Sequence, residues 1–202
     1  MKGAIEFLSK NEPIFKTIID TIGLPIIPSR PQGFKTLVLL ILEQQVSVDS
    51  AKATFYKMKV TFPQLNPSDF SNLQEETFRS FGVSRQKASY IKGLANAVRN
   101  NEIDLDSLSQ KSSEMVRQEL IKLKGIGNWT IDVYLMFCLQ APDIMPLGDI
   151  AVINTIKELL DIHEKSAIEK YTLNWAPYRS MATYLLWHHY LNKRNRKIDY
   201  SL

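Results

Sequence analysis

A single cysteine, Cys138, occurs in this chain of 202 residues. One thiol excludes an internal disulfide, a Cys-based zinc site and a four-cysteine iron–sulfur cluster. Its neighbours Leu135, Met136, Phe137 and Leu139 mark it as a core residue. Long apolar runs are also missing. The longest purely aliphatic stretch, Leu37 to Leu42, has six residues, against the ~20 that a membrane helix needs. The opening residues Met1 to Glu6 carry charge too early for a secretory leader, so an intracellular protein is expected. The three histidines, His163, His188 and His189, show no metal-ligand spacing to cysteine or paired acids and are expected to be structural or surface residues. There is no internal repeat, no low-complexity linker, no Asn-Gly or Asp-Gly turn and no period-two strand pair. The charge imbalance is slight: a net +4 with a pI near 9.0 permits nucleic-acid binding without requiring it.

What is present reads as helix almost throughout. Ile14, Ile18, Ile19 and Ile22 fall at helical spacing, and Pro25 and Pro28 close that element. Residues 34–58 give two helical patterns separated by Glu43-Gln44-Gln45, with Ser47 or Asp49 available as an N-cap. Ser68 to Phe78 and Arg85 to Val98 read as two further helices broken at Phe81-Gly82-Val83. A helix capped by Ser112 or Ser113 runs to about Leu123, and Trp129 to Leu139 follows it. Asp149 to Leu160, Ile168 to Tyr171 and Arg179 to Tyr190 complete an all-α chain. Residues 1–202 are expected to form a single domain with an approximate lobe split: 34–110 a central helical lobe, 111–140 a helix-hairpin-helix, and 1–33 with 141–202 a second helical lobe. The basic tail (Lys193, Arg194, Arg196, Lys197) is read as a solvated C-terminus or, alternatively, a phosphate contact.

The segment Leu123-Lys124-Gly125-Ile126-Gly127-Asn128-Trp129-Thr130 carries most of the chemistry. Two glycines one residue apart between helical patterns make a hairpin whose backbone amides can face outward, and helix-start amides attract phosphate. Gly125, Gly127, Asn128 and Thr130 are the candidate phosphate grip; the alternative is a glycine-containing helix end with no ligand. Lys87 and Arg85, at the start of their helix, are candidate phosphate contacts or a solvated face. Asp149 follows Gly148 about twenty residues on, either as a plain N-cap or as a carboxylate with chemistry to do.

The stretch LKGIGNWTIDVYLMFCLQAPDIMPLGDIAV resembles the helix-hairpin-helix, loop and aspartate signature of base-excision DNA glycosylases. ILEQQVSVDSA (41–51), GVSRQKASYIKGLANAV (82–98) and WAPYRSMATYLLW (175–187) are similar to the 3-methyladenine DNA glycosylase II branch, so the likeness spans roughly residues 34–190. The resemblance implies that Asp149 stabilises the cationic sugar formed as the base leaves. It places Trp129 and Trp187 in an aromatic base pocket, with Tyr134 and Tyr178 as further candidates and Val133 where some relatives carry tyrosine. Gln44 and Gln45 fall in the loop that fills the gap left by a flipped base. The carbonyls of Leu123 and Ile126 would hold a monovalent cation, Na⁺ or K⁺, and no other cofactor is implied. Bifunctional relatives have a catalytic lysine where this chain has Trp129, and an indole cannot form a Schiff base. The N-terminal β domain of some relatives has no room here. The expectation is a monomeric, monofunctional glycosylase that removes alkylated purines of the 3-methyladenine and 7-methylguanine type from double-stranded DNA. It would be cytoplasmic in a prokaryote or nuclear in a eukaryote. Excision of uracil or mismatched thymine, and a non-catalytic duplex-binding role that has no use for Asp149, stay open.

Overall fold

The computed structural model describes residues 2–200; Met1, Ser201 and Leu202, which the expected lobe boundaries include, lie outside the described residues. Twelve α-helices and no strands occur among the described residues. They are α1 (Lys2–Asn11), α2 (Pro13–Ile22), α3 (Phe34–Glu43), α4 (Val48–Thr61), α5 (Pro67–Ser71) and α6 (Glu75–Ser80), then α7 (Arg85–Arg99), α8 (Ser113–Leu120), α9 (Asn128–Phe137), α10 (Ile150–Leu160), α11 (Lys165–Thr172) and α12 (Arg179–Lys193). Two 3₁₀ turns, Asp106–Gln110 and Leu173–Trp175, join them. Among the described residues no helix is long and apolar enough to cross a membrane.

The chain divides into two compact units: the residues up to Pro28 with Gln140–Asp199, and Ser29–Leu139 with Tyr200. The expected middle element, residues 111–140, is therefore part of the larger unit, and the N-terminal boundary falls at Pro28 instead of residue 33.

The Ser29–Leu139 unit is built around α3. Leu37, Val38, Leu39, Leu40 and Ile41 are all fully buried, because a helix that is apolar on every side must be covered on every side. α4, α7 and α9 cover it. α7 is amphipathic, burying Ala88, Ile91, Leu94 and Ala95 while Lys92 and Asn96 lie on its other face. Serines start three of the helices, with Ser47, Ser84 and Ser112 accepting from the N–H groups of Ser50, Lys87 and Met115; such a cap contributes about 1 kcal/mol. The run expected as one helix over Ser68–Phe78 is two, α5 and α6, because the chain turns at Asn72 to Gln74, a polar-rich stretch.

The other unit packs α1, α2, α10 and α12. Leu8, Phe15, Val152, Ile156, Trp175, Leu185 and Leu186 fill its core, and Phe15 meets Trp175 edge-on at 5.0 Å. Pro13 starts α2, where its missing N–H costs nothing. α1 has no counterpart in the sequence reading: it buries only Ala4 and Leu8, one turn apart, too weak a stripe to announce a helix.

Candidate functional site

In the Ser29–Leu139 unit, α8 and α9 flank the predicted hairpin. The turn between them closes through Leu123 N–H to Leu120 C=O (3.1 Å) and Ile126 N–H to Leu123 C=O (3.0 Å). The two glycines differ in kind. Gly125 has φ +92, and a Cβ there would sit 2.1 Å from the Tyr90 ring, so fold and conformation both demand glycine. Gly127 has φ −101, and a Cβ there would meet nothing within 4 Å. It is the N-cap of α9, carries no side chain to cap that helix, and is exposed. The first-turn amides of α9 therefore start at an open backbone position, a place where an anion can approach closely.

Contacts from α8 and from the end of α3 brace this hairpin, and neither was visible in the sequence. From α8, Arg117 donates through Nη1 to Asn128 Oδ1 (3.0 Å) and through Nη2 to the buried Asp132 carboxylate on α9. Burial pushes Asp132 above the usual carboxylate range and Arg117 pulls it back. From the end of α3, Gln44 Nε2 donates to Gly125 C=O (2.8 Å) and Thr130 Oγ1 (3.1 Å).

These contacts correct several expectations. Gln44 is tied to the hairpin through its side-chain amide, while Gln45 is exposed at the loop tip with a left-handed backbone (φ +59). The Thr130 side chain is buried and engaged with Gln44. Asn128 is exposed, with its amide oxygen taken by Arg117. Lys87 donates to Leu42 C=O at 2.8 Å, a tie from α7 to α3, and burial lowers its pKa. Arg85 pairs with Glu75 on the surface. Tyr134 is fully buried, its hydroxyl accepting from Gly33 N–H (2.9 Å), and Val133 is buried too; both are core residues because α9 turns that face into the unit. Cys138 is half-buried, not sealed in the core, and burial pushes its thiol up to about 12. Trp129 is half-buried in the first turn of α9. An open groove of about 610 Å³ is lined by Gln45, Lys87, Tyr90, Ile121, Gly125 and Gly127.

The other unit carries the carboxylate. Asp149 is the N-cap of α10: its Oδ1 accepts from Val152 N–H at 3.0 Å. The same oxygen accepts from Trp187 Nε1–H on α12 at 3.1 Å. Asp149 is partly exposed, and Ile150 immediately after it is 72% exposed. Trp187 is half-buried with Tyr184 beside it, ring centroids 6.0 Å apart. Tyr178 lies edge-on to Phe7 and lines a cavity of about 320 Å³ with Ala4, Ile27, Pro142, Met181 and Tyr184, a lining that includes neither Asp149 nor Trp187. The histidines are structural or surface residues: His163 beside Asp161, His188 on Ile22 C=O, His189 beside Glu158. In the basic tail, Lys193 pairs with Glu158 and Arg194 stacks on Tyr190. Among the described residues no group of three or more His, Cys, Asp or Glu could hold a metal.

Residues 38–178 match the family described as HhH-GPD superfamily base excision DNA repair protein. DNA-3-methyladenine glycosylase 1 of Schizosaccharomyces pombe is 27% identical over 181 residues, covering 85% of this chain and 76% of that protein. The alkylbase DNA glycosidase-like protein mag2 of the same yeast is 28% identical over 198 residues, 92% of each chain. The solved structure of S. pombe 3-methyladenine DNA glycosylase (Mag1) in complex with abasic DNA superposes with a TM-score of 0.81 at 25% identity, covering 92% of this chain and 95% of that one.

Proposed function

The chain belongs to the HhH-GPD superfamily of base-excision DNA repair proteins, and on that basis we propose that it excises alkylated purines from duplex DNA as an N-glycosylase. The observation that carries this reading is the carboxylate of Asp149, oriented by two donors on one oxygen, in a chain that also has an open hairpin of backbone amides. Hydrolysis breaks the bond between C1′ of the deoxyribose and the purine nitrogen. The bonding pair leaves with the base and neutralises the positive charge that alkylation placed there. Positive charge then develops on the sugar, where the Asp149 carboxylate stabilises it. A water adds to C1′ and passes a proton to Asp149, leaving an abasic site. An alkylated purine departs without protonation, so one carboxylate suffices where other glycoside hydrolysis uses two.

The indole faces of Trp129 and Trp187 suit a cationic base by stacking and cation–π attraction, about 0.5–2 kcal/mol each. Gln45 is the side chain offered to the gap in the duplex. The backbone of Gly125, Gly127, Asn128 and Thr130 holds a phosphate, which positions DNA without reading its sequence. The carbonyl oxygens of Leu123 and Ile126 are hard donors of the kind a monovalent cation takes. The Leu123 oxygen already accepts from Ile126 N–H and keeps one lone pair for an ion. With tryptophan at 129 no Schiff-base amine follows the hairpin, so the enzyme releases the base without cleaving the strand. It acts as a monomer, without a required cofactor, wherever the cell keeps its DNA.

The test is base release from methylated duplex DNA by the wild type and by Asp149→Asn, with products identified by chromatography. Release of 3-methyladenine or 7-methylguanine by the wild type alone is the expected result. No release by the wild type, with duplex binding intact, overturns the reading. The product strand should break only on treatment with hot alkali; spontaneous nicking with borohydride trapping of protein on DNA would show a lyase.

A further inference from the structure

We infer that Arg179 is a positioning residue for the Asp149 carboxylate, acting through Asp143 and the loop that delivers it; the inference rests on the glycosylase reading. Asp149 comes at the end of residues 140–148, which contain no helix. A loop of that length has many conformations, and ordering it requires specific contacts. The loop and its carboxylate meet one helix, α12, through four side chains: Thr183 Oγ1 reaches Ile144 C=O (3.5 Å), and the other three hold more closely, each at one place.

At the first, the Arg179 guanidinium grips Asp143 fork to fork, Nε to Oδ1 at 2.7 Å and Nη2 to Oδ2 at 2.8 Å. Arg179 N–H adds a bond to Oδ1 (3.2 Å), and Nη2 adds one to the Asp143 carbonyl (3.3 Å). At the second, the buried Ser180 hydroxyl donates to Ala141 C=O (2.6 Å) and accepts from Ile144 N–H (3.0 Å), while Ser180 N–H donates to Pro142 C=O (3.1 Å). At the third, Trp187 holds Asp149 itself at 3.1 Å. Arg179 and Trp187 are eight residues apart, so they share a helix face about 12 Å apart along the axis.

The loop thus runs along α12 with its first half, residues 141–144, and its terminal carboxylate each tied down. Arg179 holds Asp143 below the usual carboxylate range, so the clamp stays charged at neutral pH. The cap bond to Val152 fixes Asp149 against the first turn of α10, but it does not hold the loop that leads there. Loss of the Arg179–Asp143 grip leaves Ser180 and Thr183 alone to hold residues 141–144 and lets the carboxylate shift relative to the sugar. A drift near 1 Å is enough to lower a rate by about 100-fold.

The experiment measures kcat and KM for alkylated-base release with Arg179→Gln, Arg179→Lys and the isosteric Asp143→Asn, with wild type and Asp149→Asn alongside. Active protein is counted by binding to an abasic-site duplex. Arg179→Gln and Asp143→Asn should lower kcat by about 10- to 100-fold, with KM within about twofold. Arg179→Lys, which keeps the charge and loses the fork, should recover part of that loss. An unchanged kcat per active molecule in Arg179→Gln, or in Asp143→Asn if the first does not fold, overturns the positioning role. A wild type that releases no base overturns the glycosylase reading instead, so the two failures are distinguishable.

Discussion

The hairpin and the carboxylate reach their places by opposite routes. The hairpin is a local structure. Its two helices, its turn bonds and its arginine brace all lie close together in the chain, with the brace running from residue 117 to 132, and the Gln44 contact then ties it to α3. Asp149 is a local N-cap as well, but its orientation comes from α12, at Trp187, thirty-eight residues away. The difference teaches that a turn with open amides can be encoded in one short segment, whereas fixing the orientation of a carboxylate here takes a donor from a distant helix.

The largest effect should fall on the carboxylate. Asp149→Asn should lower base release on the order of 10³-fold, as expected when a charge that stabilises a transition state is removed, with duplex affinity kept. Retained turnover in single-turnover assays would erase the contrast between a grip and a catalytic group.

Next in size is the brace. Arg117→Met leaves the buried Asp132 carboxylate without its guanidinium and should destabilise the protein by about 3 kcal/mol at pH 7. Burial alone then holds the Asp132 pKa above its unfolded value, so the variant's deficit should shrink as pH falls through that raised value. Thermal melts at several pH values check this; a deficit that does not change with pH would show that the pair contributes shape and not charge.

Trp187→Phe keeps an aromatic ring and removes the indole N–H from Asp149. A hydrogen bond to a charged group contributes about 1.5–3 kcal/mol, so kcat should fall by about 10-fold or more, and more than KM rises. An equal change in both would make Trp187 a base-binding residue only.

The glycine pair should split, and the smallest effect on stability should fall on Gly127. Gly125→Ala should cost about 1–3 kcal/mol in strain and weaken everything that depends on the turn. Gly127→Ala has an allowed φ and free space, so stability should change by less than about 0.5 kcal/mol, while DNA affinity falls because a methyl group blocks close backbone approach. Unchanged affinity would remove that backbone from the interface.

Most of the fold was legible because helices announce themselves through spacing and caps. The long helices α7, α10 and α12 sit within a few residues of the sequence-based expectation, and Asp149 was placed as a cap and a candidate acid at once. α1 was missed because two buried residues do not make a periodic signal, and the 68–78 run was read as one helix because its break has no proline or glycine. Tyr134 was read as a pocket candidate because position along α9 does not say which face is covered; its hydroxyl instead accepts from Gly33. Gln44 and Gln45 are adjacent and chemically identical, and only the three-dimensional position of Gly125 and Thr130 separates their roles.

The sequence by itself determined an all-helical chain, a glycine hairpin at 125–127 and an acid at 149 that starts a helix, because each depends on residues a few positions apart. The tertiary structure alone decided which glycine the fold requires, which glutamine is committed to the hairpin, and that α12 orients the carboxylate through Trp187. Those outcomes depend on groups dozens of residues apart being held within about 3 Å, and only packing of the whole unit sets such distances.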